Sequence, residues 1–187
     1  NISVKGLIKS DNIFDSNLNI KLTSTSSEEI LRLINNLNFL DKFPKIKFDQ
    51  LKINSALNKG LFKIDTLNVI DGESNATISG EIDIYNKDKR NLEIKLTKFN
   101  QFDIISLPQL EEILTSLDTN YIDLDCFLTD TNLEIVNLEI PVSGNSNLNI
   151  TGDVNLKNLK ETFLNIKFNN IRPCLLYTSP SPRDPIG

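Results

Sequence analysis

The chain has 187 residues, 39% of them apolar, with a formal net charge of −5 and no histidine, methionine or tryptophan. That acidic balance excludes the basic stripe with which a duplex nucleic-acid binder displaces counterions from phosphate. The absence of histidine removes the commonest general base and metal ligand, and without an 18-residue apolar run no transmembrane helix is expected.

In chain order, the first predicted element is a strand pair. Ile2-Ser3-Val4-Lys5-Gly6 opens the chain directly in strand-like text, and with no initiator methionine the sequence is expected to be an internal piece of a longer one. Leu18-Asn19-Ile20-Lys21-Leu22 follows, apolar at every second position. A strand with that period buries one face and wets the other. Ser27 to Leu37 is predicted as a short helix: serines cap it, Glu28 and Glu29 sit in its first turn, and Ile30, Leu33, Ile34 and Leu37 form an apolar stripe.

Next comes a unit of the form apolar-x-apolar-x-x-apolar-x-apolar, as Ile46 to Ile53, again as Phe62 to Val69, and later as Leu133 to Ile140. Its two-residue gap flips the alternation, so a bulge or kink is required to keep the apolar residues on one face. Bulged strands curve their sheet. Ile78 to Ile84 and Leu92 to Leu96 then restate the first strand pair, with Gly80 in place of an inward side chain, and Leu107 to Leu117 restate the helix behind Pro108.

The restatement is a repeat. Gly6, Gly80 and Gly152 each stand fifteen residues before Lys21, Lys95 and Lys167, and the copies are offset by 74 and 72 residues. The expected unit is about five strands and one short helix per ~73 residues. The fold class is therefore mainly β: a curved, repetitive antiparallel sheet, groove or solenoid-like, with two short helices. Residues 1–172 form this β domain. Residues 173–187 hold four of the seven prolines, and Cys174 to Asp184 is similar to the translation of a sequencing adapter, CLLYTSPSPRD, so this stretch is expected to be a disordered tail foreign to the fold.

Nothing in the sequence assembles a catalytic site. Seven glycines form neither a phosphate loop nor a dinucleotide fingerprint, and the serines have no histidine to activate them. Without Cys174 one cysteine remains, Cys126, expected as a small core hydrophobe. Asp123, Asp125 and Asp130 match no calcium loop and are expected on a solvated outer face. Catalytic residues, metal and cofactor are all expected to be none.

The order of these pieces, a helix, then Ile46 to Ile53, then Gly60 to Leu67, then Ala76 to Ile84, with Phe99-Asn100-Gln101-Phe102-Asp103-Ile104 standing where the family has a "Leu-Asp-Leu" segment, resembles the C-terminal region of AsmA-like proteins over roughly residues 1–170. The resemblance implies a periplasmic envelope protein of a double-membraned bacterium. It also implies an inner-membrane anchor outside this fragment and an apolar concave face that conducts phospholipid toward the outer membrane. On that expectation Ile82, Ile84, Leu92, Ile94, Leu96, Val154, Leu156, Leu164, Ile166 and Phe168 line a groove about 45 Å long for acyl chains, with Glu81, Asp83, Glu93, Lys95 and Lys167 on the opposite, wet side. The competing expectations are a passive repetitive scaffold or adhesin-like module without lipid cargo, and a barrel or sandwich that binds a soluble partner at a strand edge.

Overall fold

Alternating apolar and polar residues make strands, and ten of them form one sheet. A computed structural model describes residues 1–9, 11–25, 48–86, 89–100, 121–142 and 146–170. The strands are β1 (Ile2–Leu7), β2 (Asn17–Ser24), β3 (Gln50–Asn58), β4 (Leu61–Asp71), β5 (Ser74–Asp83), β6 (Arg90–Phe99), β7 (Ile122–Thr129), β8 (Asn132–Val142), β9 (Ser146–Asn155) and β10 (Phe163–Asn169). Each pairs antiparallel with the next in sequence, so the spatial order is β1 to β10 and the sheet does not close into a barrel. Short 3-10 turns occur at Ile13–Asp15 and Leu159–Glu161. The helices expected over 27–37 and 107–117, and the tail over 173–187, lie outside the described residues. Among the described residues, no helix is long and apolar enough to cross a membrane.

The expected bulges are present. From Ile64↔Gly80 to Leu67↔Ile78, three steps along β4 are matched by two along β5, and Ile135↔Gly152 to Leu138↔Ile150 repeats this between β8 and β9. Both shifts fall at the two-residue gap of the apolar pattern, so Ile64 and Leu67 share a face although they are three apart. In the third copy of the pattern β3 begins only at Gln50, past most of the gap, and Ile46 and Lys47 lie outside the described residues. The inserted residue locally strengthens the right-handed twist.

The repeat holds at the level of single contacts. Gly6, Gly80 and Gly152 adopt φ of +149°, +129° and +138°. A β-carbon on any of them would collide with the carbonyl oxygen of Asn17, Asn91 or Phe163 on the next strand. Only glycine accepts both that φ and that approach. Past the Gly-bearing strands, Asp83 Oδ1 accepts from the N–H groups of Tyr85 and Asn86, both at 3.0 Å, and Asn155 Oδ1 accepts from those of Lys157 at 3.0 Å and Asn158 at 2.8 Å. The Ser74 hydroxyl donates to the Lys98 carbonyl at 2.7 Å, and Ser146 donates to that of Asn170 at 2.8 Å. Lys98 and Asn170 both sit at positive φ, +46° and +57°.

One expectation is corrected. Equivalent hairpins are β1–β2, β5–β6 and β9–β10, so among the described residues the period holds four strands where five were expected, residues 26–47 and 101–120 lying outside them. A bulged strand such as β4 is continuous through its gap, yet in the sequence it reads as two short alternating runs.

Candidate functional site

Antiparallel register carries one strand's apolar residues onto the same face as its neighbour's. Following the pairs across the sheet, Ile2 lies against Leu22, then Ile53, Leu67, Ile78, Ile94, Cys126, Ile135, Gly152 and Leu164. This row crosses all ten strands with no polar side chain. A second runs from Leu51 through Val69, Ala76, Leu96, Leu124, Leu138 and Ile150 to Ile166. Nine strand intervals of ~4.8 Å make such a row about 43 Å long.

Eight of the ten expected groove residues fall on this face by register: Ile82, Leu92, Ile94, Leu96, Val154, Leu164, Ile166 and Phe168. Ile84 and Leu156 differ, because β5 ends at Asp83 and β9 at Asn155. Their N–H groups donate to the turn of the preceding hairpin, Ile84 to Gly60 O at 2.8 Å and Leu156 to Thr131 O at 2.7 Å. These two residues mark the same end of the face in successive repeats.

Exposure grades across the sheet. The best-packed patch joins Phe99, Ile122, Ile140 and Leu148, with Leu96, Leu138 and Ile150 against it. Ile82, Leu92, Ile94 and Val154 are half-buried. On β10 the face is open: Ile166 is 51% and Phe168 61% exposed, and Val4 on β1 is 52% exposed. Two small side chains sit on this face at equivalent places in the repeat. Ser55, paired with Ile64, and Cys126, paired with Ile135, are each only 2% exposed. The Ser55 hydroxyl has no hydrogen-bond partner among the described residues, while burial pushes the Cys126 thiol above its ordinary pKa and keeps it protonated.

The reverse face is polar and cross-linked. Lys95 Nζ lies 2.7 Å from Glu93 and 3.7 Å from Asp125. The hydrogen bond to Glu93, ahead of the charge of Asp125, raises the Lys95 pKa, and Glu93 is lowered in turn. Asparagines tie strand to strand: Asn68 Nδ2 donates to Asn75 at 2.7 Å and Thr77 at 3.0 Å, Asn147 to Glu139 at 2.7 Å, and Asn169 to Asn149 at 3.0 Å. By register Glu81, Asp83, Glu93, Lys95 and Lys167 all lie on this side. Asp123 accepts the Lys98 N–H at 2.7 Å and Asp130 lies 3.8 Å from Lys157, so the three aspartates each face a local donor or cation. Among the described residues no three metal-ligating side chains converge.

What this arrangement offers chemically is apolar area beside ordered polar backing. Neither family models, curated proteins nor solved structures give a match for this chain.

Proposed function

We propose that this chain is a segment of a non-enzymatic envelope protein whose apolar sheet face carries phospholipid acyl chains. One observation carries the reading: an apolar row across ten strands that ends, at β10, in exposed Leu164, with exposed Ile166 and Phe168 beside it on the same face of that strand. An acyl chain occupies half of a bilayer core of about 30 Å, so a row of this length accommodates more than one end to end. Covering the open parts of three such side chains is worth about 2–4 kcal/mol before the costs of association. That weak hold suits passage along a surface better than storage in a pocket. The resemblance to AsmA-like proteins points the same way and supplies the rest of the proposal: a periplasmic site, an inner-membrane anchor outside this chain, and transport serving the outer membrane.

The passive scaffold is the second reading, and the strictly repeated hairpins favour it, since length alone would explain them. Expression in a double-membraned bacterium followed by mass spectrometry of co-purified lipid separates the two. The transport reading expects bound phospholipid that is lost in Ile166→Asp and Phe168→Asp and retained in Lys167→Asp, with circular dichroism unchanged in all three. The scaffold reading expects no lipid from the folded wild-type chain.

A further inference from the structure

Position 90 breaks the repeat. Ten residues after Gly6 and Gly152 stand Ser16 and Thr162, and ten after Gly80 stands Arg90. The two hydroxyls make the same bond: Ser16 Oγ accepts the N–H of Lys9 at 2.8 Å, and Thr162 Oγ1 accepts that of Asn155 at 3.3 Å. Lys9 and Asn155 each stand three residues after the repeat glycine, and their counterpart in the middle copy is Asp83. The Asp83 N–H donates to the Lys89 carbonyl at 2.9 Å. The middle copy thus closes its hairpin through backbone alone, and the side chain at 90 is released from that bond.

Register puts Arg90 on the apolar face. It pairs with Ile82, which pairs with Phe62, and directly opposed residues share a face. Among the described residues it is the one cation at a paired position of that face. Lys5, Lys21, Lys52, Lys63, Lys95 and Lys167 all lie on the reverse side by the same registers. Arg90 is half-buried and opens β6, at the end of the face that Ile84 marks. Of its five N–H donors only Nε meets an acceptor among the described residues, the Thr129 carbonyl at 3.3 Å. No described carboxylate lies within ion-pair distance of it, and Asp130, just beyond Thr129, sits 3.8 Å from Lys157. A guanidinium presents a planar fork that binds phosphate through two parallel hydrogen bonds. Set at the border of an apolar face, that fork matches an anion attached to acyl chains.

We infer that Arg90 is a headgroup site: it holds the phosphate of a phospholipid at the rim of the sheet while the acyl chains lie on the apolar rows beside Ile82 and Leu92. The inference rests on the proposed lipid-carrying role of that face. It adds the chemistry of the headgroup contact and its place along the sheet, since the counterparts Ser16 and Thr162 bring no charge to theirs.

The experiment uses the full chain with Phe62→Trp as its single fluorescent reporter, two strands from Arg90 on the same face. The probes are phosphatidylglycerol and diacylglycerol with the same brominated acyl chains, presented in neutral detergent micelles. Phosphatidylglycerol is expected to quench at a half-maximal concentration about tenfold below that of diacylglycerol, the worth of a charge-assisted pair of hydrogen bonds. Arg90→Thr installs the residue of the third copy, so the fold is expected to hold. It should abolish the preference and leave diacylglycerol quenching as it was, while Arg90→Lys, which keeps the charge and loses the fork, should fall between. Inorganic phosphate, lacking acyl chains, is expected to leave the quenching unchanged. Equal quenching by both lipids, a preference that survives Arg90→Thr, or release by inorganic phosphate at the lipid's own concentration overturns the inference and leaves the lipid-carrying face standing. Quenching by neither lipid overturns both.

Discussion

Hairpins β5–β6 and β9–β10 are near copies: Ile78-Ser79-Gly80-Glu81-Ile82 against Ile150-Thr151-Gly152-Asp153-Val154, with the same glycine geometry and the same serine-to-carbonyl bond. Their surroundings differ. Ile94 on β6 has Ile78 on one side and Cys126 on the other and is half-buried. Among the described residues its counterpart Ile166 on β10 pairs with Ile150 alone, and it is 51% exposed. The same local sequence thus makes a half-buried position in one hairpin and an exposed one in the other. What decides is the presence of a next strand, which no residue within the hairpin encodes.

The largest difference should come from charge. Ile94→Asp places a carboxylate among apolar neighbours and is expected to cost about 3 kcal/mol or more, whereas Ile166→Asp should stay within about 1 kcal/mol of wild type. Urea unfolding of both variants measures this, and equal losses would end the distinction between inner and edge hairpins.

Glycine gives the next effect. Gly80→Ala adds a β-carbon at φ +129° against the Asn91 carbonyl, between two fixed neighbours, and is expected to cost about 2–3 kcal/mol. Gly6→Ala meets the same clash with Asn17, but among the described residues β1 is paired on one side only, so about half that loss is expected in the same unfolding measurement.

Smaller again is the exchange at the paired buried sites. Ser55→Cys, which brings the residue of the equivalent position into β3, should stabilise by about 1 kcal/mol because it removes a buried hydroxyl without a partner. Cys126→Ser should lose a similar amount, visible as a shift of midpoint in thermal unfolding.

The smallest effects belong to the polar face. Lys98 holds Glu73 below the usual carboxylate range through a hydrogen bond and its charge, and Lys95 does the same to Glu93. Whatever stability these acids add is present above their ordinary pKa of 4.5 and is lost as pH falls through their lowered values. Lys95 and Lys98 are raised, so their part is present below 10.5 and lost as pH climbs past it. Glu73, Lys95 and Lys98 are exposed and Glu93 half-buried, so screening is strong, and Glu73→Gln is expected to leave the midpoint unchanged at 0.15 M salt.

Much of this was legible in the residues because it is local. Period-two alternation located the strands, the two-residue gap announced the bulges in β4 and β8, and the fifteen-residue spacing from Gly6, Gly80 and Gly152 set three equivalent hairpins. The count of described strands per repeat was not, since a bulge breaks the alternation that marks a single strand. Nor did alternation show that Ile84 and Leu156 leave the strand, because that depends on the turn of the preceding hairpin receiving their N–H groups. The pairing of Ser55 with Cys126 as equivalent buried sites was hidden by their different chemistry. Which groove residues face solvent is decided by sheet edges many residues away.

The central claim is that the apolar face, and not the polar one, meets acyl chains. The chain has no tryptophan, so Ile166→Trp and Lys167→Trp each give a single reporter on neighbouring positions of opposite faces. Phospholipid brominated on its acyl chains, added to each variant, is predicted to quench the Ile166→Trp fluorescence and leave Lys167→Trp unchanged. Quenching of neither, or of both to the same degree, would contradict it.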